Sequence, residues 1–134
     1  MITEEMLPAM QGMLPSNLAT CSKDGIPNST YVSQAYYVDE NHIALSFQFF
    51  NKTIRNVREN KQAMIRISHP GNFTTWDMEI EYDHSETEGD LYDEMDMQLE
   101  AIASMSGMTD VFKLQAADVY KVLSVTKNTE EKLA

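Results

Sequence analysis

Cysteine is almost absent from this chain. The single Cys21 has no partner for an internal disulfide, which excludes a disulfide scaffold and fits a reducing compartment. Glycine is scarce and scattered: Gly12, Gly25, Gly71, Gly89 and Gly107 form neither GxGxxG nor a P-loop, which argues against dinucleotide-binding and kinase readings. No run of eighteen apolar residues and no charged-then-apolar leader occurs, so the expectation is a soluble cytoplasmic protein with no membrane partner. Basic residues are also few. Ten Lys and Arg stand against 21 Asp and Glu, for a formal net charge of -11. A nucleic-acid partner is not expected, because backbone phosphates need a broad basic face.

Signatures of common hydrolytic and metal chemistry are missing as well. There is no GxSxG, and His42, His69 and His84 fall in a strand start, a turn and an acidic loop, so no catalytic residue is assigned. Asp77, Glu79, Glu81 and Asp83 alternate along a strand without the compact loop of a calcium site, and no metal is expected. Met95, Met97, Met105 and Met108 sit at helical spacing beside Leu and Ile and read as core filler.

What is present describes a mainly β chain. The 134 residues suit one domain spanning 1–134. Thr3 to Gly12 reads as a short helix capped by Thr3. Residues 18–22 and 28–38 read as the strands of a hairpin around Asp24, Gly25 and Pro27, and residues 42–50 as a mostly apolar third strand. A helix follows, capped by Asn51 or Thr53 and running through Asn60, with Ile54 and Val57 on its buried face and Arg55, Arg58 and Glu59 in water. Residues 63–68 form the next strand. Trp76, Met78, Ile80 and Tyr82 then alternate with acids, the pattern of an antiparallel strand with one solvated face. A helix from Asp90 to Gly107 and strands at 111–114 and 119–125 complete an antiparallel barrel with flanking helices.

One stretch runs against the charge. Lys52, Arg55, Arg58, Lys61 and Arg66 are half of the basic residues and include every arginine, and they begin where an aromatic strand meets a helix. Unpaired amides and the helix dipole at such a junction attract anions, so Asn51, Lys52 and Thr53 suit a phosphate; a plain helix cap with a solvated lysine is the simpler reading of the same residues.

Asp24-Gly25-x-Pro27, the aromatic strand after it, Asn51-Lys52-Thr53, Asn56-Val57-Arg58-Glu59-Asn60 and the closing 110–125 segment together resemble the pyridoxamine 5'-phosphate oxidase-like family of FMN-binding split barrels. The resemblance implies a split β-barrel with FMN at a homodimer interface and a small-molecule electron donor or acceptor. It carries the FMN phosphate to Lys52 and Thr53, with Asn51 beside them. It lays Thr30, Tyr31, Val32 and Ser33 along the flavin, puts Ser46 and Phe47 near the ribityl chain and phosphate, and brings Trp76 close to the ring system. Two departures stand out: Lys61 replaces a common proline after Asn60, and no arginine or histidine follows His84, where the true oxidases grip the vitamin phosphate. The implied function is therefore an FMN-dependent oxidoreductase other than the named oxidase. A flavin-binding or sensory module without turnover is the alternative, and a haem-handling split barrel a further one.

Overall fold

The computed structural model describes residues 1–11, 14–32, 34–47, 51–106 and 114–128, with 47, 51–54 and 102–106 described by backbone alone. Alternation in the sequence becomes one curved antiparallel sheet. Its strands are β1 (Ser16–Cys21), β2 (Pro27–Val32), β3 (Tyr36–Asp39), β4 (His42–Phe47), β5 (Gln62–Ser68), β6 (Thr75–Glu86) and β7 (Ala116–Asn128), in the spatial order β2-β1-β5-β6-β7-β4-β3. The long pair β6–β7 forms the centre, and register slips at Glu79/Ile80 and Tyr82/His84 bend it, as bulges do. Trp76, Met78 and Ile80 point inward while Glu79 and Asp83 face solvent, as the alternation requires.

The run 28–38 is not one strand. β2 pairs with β1 at one edge of the sheet, and β3 pairs with β4 at the opposite edge. A single β-rich run therefore crosses from edge to edge, with Val32 and Ala35 buried at the crossing. The two edges are joined by covalent chain, with no β2–β3 ladder among the described residues. That seam makes this an antiparallel split barrel. The expected strand at 111–114 lies outside the described residues except for Leu114, which is buried and precedes β7.

Helices close the barrel. The first is a 3-10 helix over Glu4–Met10, not an α-helix; Pro8 lies inside it and denies it an α-helical hydrogen bond, and Thr3 makes no side-chain cap. Its Met6, Ala9 and Met10 join Ile2, Leu18, Ile43, Leu45, Ile65, Ile67, Met78, Ile80 and Tyr120 in the barrel interior. Helix α1 (Asn51–Asn60) adds Val57 to that cluster, and helix α2 (Asp90–Ser106) covers the sheet's outer side, where Met95 and Leu99 pack on Ala44, Leu114, Ala117 and Val119. Met97 is not core filler: it is 67% exposed, on the face of α2 away from the sheet. The side chain of Met105, and Met108 entirely, lie outside the described residues.

Candidate functional site

The site is built around the seat of α1. Ten residues of low mean hydropathy form this helix because its few apolar and amide side chains share one face: Asn56 and Val57 are buried, while Arg55 and Glu59 face solvent. Asn56 Nδ2 donates to Thr20 Oγ1 of β1 at 3.1 Å, and Asn60 Nδ2 donates to the Cys21 carbonyl at 3.2 Å. The helix ends at Lys61, whose φ of 68° is left-handed; its N–H donates to the Val57 carbonyl at 2.9 Å, an αL stop usually given to glycine. Proline cannot adopt that φ, so this helix end excludes a proline at position 61.

Arg58 is exposed, as expected, and its side chain is also engaged within the chain. Its guanidinium carbon lies 4.3 Å from the centroid of the Tyr82 ring, and one nitrogen is 3.5 Å from Asp118 Oδ1 on β7. Asp118 is 1% exposed. Its Oδ1 also accepts from Ser85 Oγ at 2.6 Å, and Ser85 lies 2.5 Å from the Tyr82 hydroxyl, whose ring meets Tyr120 edge-on. Among the described residues, Asp118 Oδ2 is buried without a partner. Burial pushes the Asp118 carboxyl above the ordinary range, against the hydrogen bond from Ser85 and the nearby positive charge of Arg58. Burial and the Asp118 charge raise the Tyr120 phenol as well.

Arg66 is also committed within the chain. It makes a two-pronged ion pair with Asp77 at 2.6 and 2.9 Å, beside Asn17, Ala19 and Met64 in a shallow concavity of about 230 Å³. The basic stretch is thus less available to an external anion than its sequence suggests, since two of its three arginines already face carboxylates.

Sequence-predicted site residues divide between two faces of the barrel wall. Tyr31 is 67% exposed on the outer face, in register with Asn17 and, across β1, with Arg66. Thr30 and Val32 face inward, and Trp76 is in the interior cluster, on the face opposite Tyr31. Ser46 is half-buried near the end of β4, opposite Ala117. Phe47 ends β4, and Asn51, Lys52 and Thr53 form the first turn of α1, each described by backbone alone; Ser33 is outside the described residues. The histidines are engaged by their own chain: His42 with Asp39 at 2.8 Å, His84 with Asp83 and Glu86, and His69 with the Gly71 amide. No metal-ligating cluster occurs among the described residues.

Comparison with known proteins identifies the family and the fold. The sequence profile of the family described as pyridoxamine 5'-phosphate oxidase matches residues 2–123. The chain belongs to that family. An FMN-binding protein from Syntrophomonas wolfei has the same fold, with a TM-score of 0.77 at 15% identity over 93% of this chain and 85% of the other. Group A Streptococcus HupZ matches at a TM-score of 0.72 and 19% identity, over 95% and 94% of the two chains. HutZ, the heme storage protein from Vibrio cholerae, matches at 0.63 and 16% identity, over 98% and 99%. No curated protein of similar sequence was found. Within the oxidase family's barrel, the feature that sequence reasoning missed is Asp118. Its signal was visible, because Ala116, Asp118, Tyr120 and Val122 share one strand face and all are buried, so an acid stands at a core position.

Proposed function

We propose that this protein is a cytoplasmic FMN-binding oxidoreductase, one split-barrel unit over residues 1–134, which works as a homodimer with FMN at the subunit interface. The observation that carries the reading is the first turn of α1, which contains Lys52 and no acidic residue. Four amides there have no helical partner, and the helix dipole adds partial positive charge, so the turn suits a phosphate in a chain that otherwise repels anions. Asn51, Lys52 and Thr53 hold that phosphate. Thr30, Tyr31, Val32 and Ser33 lie along the flavin, Ser46 and Phe47 border the ribityl chain, and Trp76 backs this wall from inside the barrel. FMN, when bound, supplies the electron transfer; the protein supplies binding, orientation and exclusion of water. Turnover of pyridoxamine 5'-phosphate is not expected, because no arginine or histidine follows His84 to grip a substrate phosphate.

The visible spectrum of the purified protein, before and after FMN is added, tests this reading. A flavin spectrum that nicotinamide cofactors bleach in a stopped-flow experiment, with a dimer mass by light scattering, is the expected result. A Soret band would favour haem, although no histidine among the three is clear of its own chain's partners. A flavin spectrum that no reductant alters on mixing would leave a binding module.

A further inference from the structure

A buried carboxylate with an orphaned oxygen calls for a reason, because it is a standing cost that evolution removes easily by substitution with asparagine or an apolar residue. Asp118 is the third residue of β7, opposite Ser85 of β6 and Leu45 of β4. Its strand neighbour on β4 is Leu45, two residues before Phe47, the last residue of that strand, and the chain enters α1 four residues after Phe47. Among the described residues the facing groups are Arg58 from α1, Ser85 and, through it, Tyr82 from β6, Tyr120 on its own strand, and apolar Leu45 from β4. His84 and Glu86 stand nearby on β6 but are engaged with each other. Arg58 is the only charged group among these that belongs to the helix. The helix is tied by Asn56 to β1, plugged by Val57, and drawn toward β7 and β6 by Arg58.

We propose that Arg58 and Asp118 are positioning residues: together they seat α1 against the barrel, so that phosphate affinity at the helix's amino end follows the ionisation of Asp118. The ionised carboxylate draws Arg58 down onto Tyr82 and fixes the helix; the neutral carboxyl leaves Arg58 free to swing into water, and α1 is held by Asn56, Asn60 and Val57 alone. Burial holds the Asp118 carboxyl above its ordinary range, so the changeover falls at a higher pH than for a surface aspartate. A stable fold at the lowest cost would discard the charge. A helix that must present its amides at one place retains it.

The inference rests on the FMN reading, and the test separates the two. FMN and riboflavin affinities are measured by flavin fluorescence across pH for the wild-type protein, Asp118→Asn, Arg58→Met and the double variant, together with melting temperature and amide exchange of α1. Asp118→Asn should melt no lower than wild type at neutral pH, yet bind FMN about five- to tenfold more weakly, the scale of a modest coupling between sites. Riboflavin affinity should move less than twofold, and Arg58→Met should add nothing to Asp118→Asn. The wild-type FMN affinity should fall on acidification more than that of Asp118→Asn; the comparison cancels the phosphate's own ionisation near about pH 6. Equal losses for both flavins, or an unchanged FMN affinity in Asp118→Asn, overturn the proposal. If the wild-type protein does not prefer FMN to riboflavin, the phosphate reading fails on its own. Amide exchange then decides the seat: faster exchange across α1 in Asp118→Asn at a melting temperature no lower than wild type upholds it, and unchanged exchange overturns it.

Discussion

Truncating Val57 to alanine tests whether α1 is part of the barrel or merely lies on it. Val57 is fully buried, and it packs in the same interior cluster as Ile43, Leu45, Ile65 and Trp76. Its removal takes two methyl carbons from an apolar environment, a transfer loss of ~1.6 kcal/mol at ~0.8 kcal/mol each. A cavity beneath a helix tied at both Asn56 and Asn60 cannot collapse freely, which adds to the loss. Alanine returns about 0.5 kcal/mol through its better helix propensity. The expected net loss is about 1–2.5 kcal/mol, read as a lower urea midpoint at unchanged slope. Trp76 is the sole tryptophan and is buried in the affected cluster, so its fluorescence reports the transition directly. Arg55→Ala, on the solvent face of the same helix, should stay within about 0.5 kcal/mol of wild type. If Val57→Ala also stays within that margin, α1 does not plug the barrel and the site has lost its support.

Other expectations concern charge and backbone. The Asp118 carboxyl is raised in the folded state, so the native protein binds more protons than the unfolded chain between the ordinary aspartate pKa and the raised value; stability therefore falls as pH rises through that window, and Asp118→Asn should flatten this part of the profile in pH-dependent thermal melts. His84 is raised by Asp83 and Glu86, so its contribution is complete below the ordinary histidine pKa and lost as pH rises through the folded one, a step that His84→Gln should remove from the same melts. Lys61→Gly should stabilise the protein by about 0.5–1 kcal/mol in urea titrations, since glycine adopts φ 68° without the Cβ penalty, and Lys61→Pro should destabilise it by more, having neither that φ nor the N–H that bonds Val57.

Much of the barrel was legible because periodicity is a local property. The acid-apolar alternation of residues 76–83 identified a half-buried antiparallel strand, and the hairpin turn at Gly25, with φ 86°, was marked by its residues. The break inside 28–38 was not legible. Its residues all favour strand, and the split arises because the two halves pair with partners at opposite edges of the sheet, information held in β1 and β4 and not in the run itself. The first helix was read from its cap signals alone, and Pro8, which those signals do not take into account, makes it a 3-10 helix. At the site, charge counting placed Arg58 and Arg66 in a free basic patch; their carboxylate partners, Asp118 and Asp77, lie 60 and 11 residues away in sequence. Such pairing is fixed by register across strands, which composition does not encode.

The measurement closest to the central claim is a pair of fluorescence titrations, FMN against riboflavin, on the wild-type protein, Lys52→Ala and Lys61→Ala. A charge-assisted contact from Lys52 to the phosphate is worth roughly 1.5–3 kcal/mol, so Lys52→Ala should weaken FMN binding about ten- to a hundredfold and leave riboflavin unchanged. Lys61→Ala removes the same charge from an exposed position and should cost well under about 1 kcal/mol for either flavin. FMN affinity that falls equally in both variants, or in neither, would contradict a phosphate site at the head of α1.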